Sequence, residues 1–367
     1  MSGADPCNWL LGGGDAGMIL VVNAGSSSVK VALFDATLTR RATGEVTEIG
    51  GKGLLKTGTD RSPIRATDHA SALAALIIAL DTASHALTAA AHRIVHGGVR
   101  LTAPARVTPD LIAQIAACNT LAPLHNPHNL AGIAAIADAL PDLPQCVSFD
   151  TAFHATNPVI ATTYALPAQE TAKGIRRYGF HGLSYQGLVQ SFGAALPDRL
   201  LAFHLGNGAS LCAIKAGKSV TSSMGYSPLD GLVMGTRTGQ IDGMAVLRLA
   251  RDHGIDGAGD ILNRHSGLRG LGGTSDMAQL LQTDSDAARF AVDHFCYWAA
   301  RQAGSAIVAM GGLDAVAFTG GIGENAGEIR SRIMDHLAFL GKVPVHVIAA
   351  DEEKQIARDA LTLLAQH

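Results

Sequence analysis

Residues 19–35 read ILVVNAGSSSVKVALFD, and residues 201–215 read LAFHLGNGASLCAIK. Each is an apolar strand, a small-residue turn and a second strand. The turns are Asn23–Ser28 in the first stretch and Gly206–Gly208 in the second. Val-, Ile- and Leu-rich runs around an Asn/Gly/Ser turn are the sequence form of a β-hairpin. These turns offer hydroxyls, an amide and backbone N–H groups, and their glycines let another molecule come close. One such turn is ordinary. Two, one in each half, predict a duplicated α/β domain with both loops serving one ligand, and a polyphosphate suits that arrangement.

Outward from the first hairpin, Leu38–Arg65 is Gly- and Thr-rich and continues the sheet, and Ser71–Ala91 has helical Ala/Leu spacing. Ala91–Gly98 is a short apolar run carrying Arg93. Thr108 is placed to cap a helix over Pro109–Ala117. The loop Asn119–Leu130 leads into a helix at Leu130–Ala139, and Gln145–His154 reads as a strand that ends on an aspartate, Asp150. The second half repeats the order. A helix at Tyr185–Ala195 precedes the second hairpin, and a Gly/Met-rich loop, Ser222–Gly243, follows it. Helices at Ala245–Asp252 and Asp286–Met310 come next, then a strand and glycine turn at Ala315–Asn325 and a final helix at Glu352–Leu364. Two α/β domains follow from this order, with a cleft between them. The first is expected over 18–150 plus 350–367 and the second over 151–349, with residues 1–17 a disordered leader.

The whole chain narrows the function classes. Its 367 residues suffice for two full cores, and 47% hydrophobic content excludes a disordered chain. A net charge of −3 without a basic run argues against nucleic acid, and no apolar stretch reaches membrane-span length. Five dispersed cysteines without CxxC spacing predict reduced thiols and a cytoplasmic location.

Some motifs fail on context. Gly12–Gly17 fits GxGxxG but precedes a strand, and Ala216–Ser219 resembles the end of a P-loop whose first glycine is replaced by Cys212. His92 and His96 are four apart, but Arg93 stands where a zinc protease needs glutamate. Other features fit phosphoryl chemistry. Gly320–Asn325 is a glycine run entering a helix, which suits anionic ligand atoms. Arg93 and Arg237 lie beside glycines and histidines, as a phosphoryl clamp would.

Taken together, the runs VVNAGSSSVK, HRIVHGG, LAPLHNPHN, FDTAFH, RYGFHG, HLGNGAS, SMGYSPLDGLVMGTR, FTGGIGEN and DEEKQIARD resemble the acetate kinase family, the acetokinases. These belong to the sugar kinase/actin/heat-shock-protein ATPase superfamily. The resemblance implies two duplicated ribonuclease-H-like (actin-like ATPase) domains with the active site in the cleft. It implies reversible, Mg²⁺-dependent phosphoryl transfer from ATP to acetate, giving ADP and acetyl phosphate, with Mn²⁺ as an alternative ion and a homodimer as the assembly. By motif matching, Asn23 and Glu352 would hold the metal. Arg93 and Arg237 would bind the carboxylate and the transferring phosphoryl, with Asp150 the catalytic carboxylate and His181 steadying the transition state. Ser26, Ser28, Lys30, His204, Asn207, Gly208, Asp276, Gly321, Ile322 and Asn325 would contact nucleotide or phosphate. Val95, Leu124, Phe180 and Pro228 would surround the acyl methyl. A carboxylate acceptor is already ionised at neutral pH, so Asp150 suits orienting substrate or metal better than taking a proton.

The resemblance is broken at specific places. Leu183 and Tyr185 stand where the family pattern HGTSH has Thr and His, Gln240 replaces an acid, and Ala278 replaces a nucleotide-side arginine. That last change predicts a relaxed nucleotide preference or another phosphoryl donor. The rival readings are a propionate or butyrate kinase and, in a different class, a non-catalytic ATP-driven module of the actin or heat-shock type.

Overall fold

The computed structural model describes residues 17–82 and 85–366. The leader expected at 1–17 lies outside the described residues, apart from Gly17. Two compact units are present. One ends at Ala152 and resumes at Asp351; the other is Phe153–Ala350.

The first unit carries an eight-stranded sheet in the order β5-β4-β3-β2-β1-β6-β8-β7. Its strands are β1 (Met18–Ala24), β2 (Ser28–Phe34), β3 (Arg40–Thr47), β4 (Leu54–Thr57), β5 (Asp60–Pro63), β6 (Leu87–Ile94), β7 (Ala105–Arg106) and β8 (Gln145–Phe149). The hairpin β1–β2 is antiparallel and in register from Ile19↔Phe34 to Ala24↔Val29. β6 then joins β1 in parallel, and β8 joins β6 in parallel. The second unit has β9 (Arg199–Leu205), β10 (Ala209–Lys215), β11 (Lys218–Ser222), β12 (Ala315–Thr319) and β13 (Val345–Val347), in the order β11-β10-β9-β12-β13. Its β9–β10 and β10–β11 pairs are antiparallel; β9–β12 and β12–β13 are parallel. The five strands β3-β2-β1-β6-β8 therefore repeat in β11-β10-β9-β12-β13, in both order and direction.

Burial explains where propensity misled. The helical spacing read over Ser71–Ala91 holds only for helix His69–Ala79, which Asp68 and Ser71 close with a reciprocal capping box. Residues 87–91 are instead part of β6, with Ala89, Ala90 and Ala91 almost wholly buried between two parallel neighbours. A strand covered on both faces reads as a continuous apolar run, and alanine there loses its helical preference to tertiary packing. The strand of Gln145–His154, expected to end on Asp150, stops one residue earlier at Phe149, and 152–156 form a 3₁₀ turn. The helix expected at Leu130 begins at Asn126, with Pro127 in its first turn, where a missing N–H is harmless. The helix expected at Tyr185 begins at Gly182 and ends at Phe192. Thr108 caps Pro109–Ala117 as expected, and the last helix is Glu352–Leu364. That helix buries Ile356, Ala357 and Ala360 and packs on β1, β6 and β8 of the first unit.

Candidate active site

In the first unit the site grows from the carboxyl ends of parallel strands. Asn23 lies near the end of β1 and Arg93 near the end of β6, while Asp150 is the first residue past β8. The β6–β8 register sets Ile94 opposite Phe149, and the Asp150 N–H donates to the Ile94 carbonyl at 2.9 Å. Asp150 is thus delivered to Arg93. The guanidinium donates from Nε to Oδ1 at 3.0 Å and from Nη2 to Oδ2 at 2.5 Å. Glu352, which opens the last helix, stands 3.7 Å from Arg93 Nε, and Asn23 Oδ1 lies 3.5 Å from Nη1. Arg93, Asn23, Asp150 and Glu352 are therefore one cluster.

Burial penalises the Arg93 cation, but the Asp150 and Glu352 carboxylates outweigh that and hold it charged. Burial also pushes the Asp150 carboxyl above its ordinary value, against the pull of Arg93. Committed to a two-pronged hydrogen bond, Asp150 orients Arg93. Asn23 and Glu352 offer oxygen donors, which fits a hard cation that keeps several waters and takes one or two carboxylates plus phosphate oxygens. Among the described residues no group of three or more His, Cys, Asp or Glu could hold a metal by itself.

Two buried asparagines in the run LHNPHN brace this half, and the sequence reading assigned them no role. Asn129 accepts from the Val95 N–H at 3.1 Å and donates to the Ala24 carbonyl at 2.7 Å. Asn126 accepts from the His96 N–H and donates to the His96 carbonyl. One helix start thereby ties the β1–β2 turn to the end of β6. His69 Nε2 reaches the Gly25 carbonyl at 2.6 Å from the other side. Ser26 is exposed, Ser28 is half-buried, and Lys30 is exposed and ion-paired with Glu45 at 3.4 Å. Val95 is buried, whereas Leu124 is largely exposed.

In the second unit the β9–β10 turn organises a different set. His181 precedes helix Gly182–Phe192 with a left-handed backbone (φ 58°), and its ring lies 4.3 Å from that of His204. Ser210 Oγ is 2.9 Å from His181 Nδ1, and Ser184 Oγ is 2.8 Å from His204 Nδ1. A Cβ placed on Gly208 would stand 3.2 Å from His181 Nε2 and 3.9 Å from Arg237 Nη1, so the turn passes close to both. Arg237 donates to the Pro228 carbonyl at 3.2 Å. No carboxylate lies within ion-pair reach of it among the described residues, and burial lowers its affinity for the proton. Phe180 is buried, and its carbonyl is 2.9 Å from His154 Nε2. The sequence reading passed over this second brace.

Asn207, Asp276, Gly321, Ile322 and Asn325 line one cavity of about 510 Å³, together with Ala278, Leu281 and Gln282. The volume falls in the range of small-molecule sites. Gly235 N–H donates to the Asn207 carbonyl at 3.0 Å, and a Cβ at Gly235 would collide with the Asn207 side chain. Asp276 caps helix Met277–Gln282 through its Oδ1, so part of its work is structural. Among the described residues no lysine or arginine lines the cavity.

Comparisons with known proteins identify the family. The acetokinase family profile matches residues 18–360. An acetate kinase of Rhodopseudomonas palustris is 44% identical over 88% of this chain and 87% of its own length. The crystal structure of Porphyromonas gingivalis acetate kinase superposes with a TM-score of 0.88 at 34% identity, covering 95% of this chain and 100% of that one. A propionate kinase from Francisella tularensis gives a TM-score of 0.89 at 35% identity, covering 94% and 98%.

Proposed function

The chain belongs to the acetokinase family, and we propose that it is an acetate kinase, transferring the γ-phosphoryl group of ATP reversibly to acetate. The reading rests on the family match and on the contrast between its arginines. Arg93 is balanced by carboxylates in its own unit, while Arg237 lies beside the glycine turn with no carboxylate partner among the described residues. A half-buried guanidinium in that state suits an anion.

Phosphoryl transfer needs alignment and charge neutralisation more than covalent help. In the proposed reaction Arg93, held by Asp150, orients the acceptor carboxylate. Arg237 and His181 donate to the oxygens of the phosphoryl group in flight, and the Asn207–Gly208 backbone supports the donor phosphates. Asn23 and Glu352 would hold Mg²⁺, which neutralises phosphate charge when bound, and Mn²⁺ suits the same oxygen donors. The cavity beside Gly321–Asn325 has room for a nucleoside, which favours a nucleotide donor over bare pyrophosphate. Its lack of basic side chains supports a broad nucleotide preference. Hydroxamate trapping of acetyl phosphate from ATP, Mg²⁺ and acetate tests the reading. Absence of product with acetate, propionate and butyrate alike would overturn it in favour of a non-catalytic module.

Propionate is the second reading, because the propionate kinase superposes as closely as the acetate kinase does. One methylene in an apolar pocket changes discrimination only about 10–200-fold. Saturation kinetics across two- to four-carbon acids separate the two. We also propose a homodimer through the second unit, where Val159, Ile160, Met244, Leu247, Ile255 and Val308 are exposed. Sedimentation of the purified chain as a monomer would refute it. Among the described residues no helix is long and apolar enough to cross a membrane.

A further inference from the structure

Tyr185 is completely buried at the second turn of helix Gly182–Phe192, and its hydroxyl lies 2.5 Å from Ser210 Oγ. Ser210, equally buried on β10, is 2.9 Å from His181 Nδ1. The protons in this chain can be assigned by elimination. Burial keeps the phenol protonated. Among the described residues the one side-chain acceptor within reach of the Tyr185 O–H is Ser210 Oγ. A buried hydroxyl donor left without an acceptor is costly, so the Tyr185 proton goes to Ser210. The Ser210 proton is then turned away from Tyr185 and has His181 Nδ1 as its acceptor. A nitrogen that accepts carries no hydrogen, so the imidazole proton resides on Nε2. Nε2 is the atom beside Gly208, next to Arg237.

We propose that Tyr185, acting through Ser210, is a positioning residue that locks His181 in its Nε2–H form, so that this N–H is aimed at the phosphate turn before substrate arrives. The proposal rests on the phosphotransferase reading only for its kinetic consequence. It concerns a position where this chain departs from the family pattern, carrying tyrosine in place of histidine. His204 is held in the matching way by Ser184 at its Nδ1, and the two rings are neighbours, so both imidazoles are anchored through Nδ1 by a serine. The tyrosine extends the anchor of His181 alone.

The test is heteronuclear NMR of the full-length protein labelled with ¹⁵N-histidine, the His181 signals being assigned by their loss in His181→Gln. The expected spectrum has a protonated Nε2 and a bare Nδ1 at neutral pH. In Tyr185→Phe, Ser210 is free to turn and accept from Nδ1, so the two nitrogens should report a mixture. kcat should fall roughly tenfold, less than the ~10²–10³-fold loss on deleting a transition-state donor outright. KM for either substrate should move by no more than about twofold, as befits an interaction realised in the transition state. Ser210→Ala should have a similar effect, and the double variant should be little worse than either single one, because both act through one chain. A wild-type His181 protonated on Nδ1 would overturn the proposal whether or not Tyr185→Phe folds. So would a Tyr185→Phe protein with an unchanged tautomer and kcat. The NMR measurement needs no turnover, so it stands apart from failure of the acetate kinase assay.

Discussion

The two units share a five-stranded plan and treat charge in opposite ways. In the first, Arg93 is enclosed by Asp150, Glu352 and Asn23. In the second, Arg237, His181 and His204 surround a glycine turn, and serines and a tyrosine set the direction of the hydrogen bonds. The first half balances its cation within the fold, while the second aims donors at a turn with no carboxylate beside Arg237 among the described residues. Duplication supplied two equivalent strand ends; the chemistry lies in how their side chains diverged. An arginine with a buried carboxylate partner also carries part of the fold's stability, which an arginine without one does not.

Replacing each arginine should break that comparison most sharply. Arg93→Ala strands Asp150 as a buried, uncompensated carboxylate. It should cost about 3–5 kcal/mol of stability as well as most of the activity. Arg237→Ala should lower kcat/KM at least ~10²-fold while leaving the denaturation midpoint almost unchanged, since no carboxylate depends on it. Urea unfolding beside hydroxamate assays reads both. Equal stability losses would erase the distinction between the halves.

Acid should sharpen it next. His92 and His96 in the first unit and His154 in the second are each depressed to about 4 by burial. A base whose folded value is depressed contributes stability that is fully present above its unfolded value near 6.5 and is lost as pH falls toward 4. Between pH 6.5 and 5 each should withdraw at most about 2 kcal/mol. Denaturant midpoints measured across that window should fall, and His92→Gln should flatten the slope. An unchanged midpoint would mean that these rings protonate in place.

The smallest effect belongs to the proposed nucleotide cavity. Ala278→Arg should narrow the choice between ATP and GTP by about tenfold or less, consistent with a single added contact of ~1 kcal/mol. Relative kcat/KM values for the two donors measure it. No change would place residue 278 away from the base.

Much of this organisation was legible in the chain. Hairpins around Asn23–Ser28 and Gly206–Gly208 carried their own turn chemistry, and helix Glu352–Leu364 carried its own periodicity. Leu87–Ala91 did not, because alanine serves a helix and a doubly buried strand equally well and only the neighbours β1 and β8 decide between them. The Arg93–Asp150 pairing spans 57 residues and depends on the β6–β8 register. Asn129, Ser210 and Tyr185 were harder still. Their side chains are ordinary in any sequence and acquire a role through the single polar atom each meets inside the fold.

Glu352 has a temporal consequence. The first unit is interrupted at Ala152 and completed only when the chain returns at Asp351. On a ribosome, Asn23, Arg93 and Asp150 would all emerge well before the carboxylate that finishes their cluster, and all of Phe153–Ala350 would be synthesised in between. The second unit is one uninterrupted stretch and can close around its own turn first. The Arg93 cluster is therefore complete only once the closing helix has left the exit tunnel.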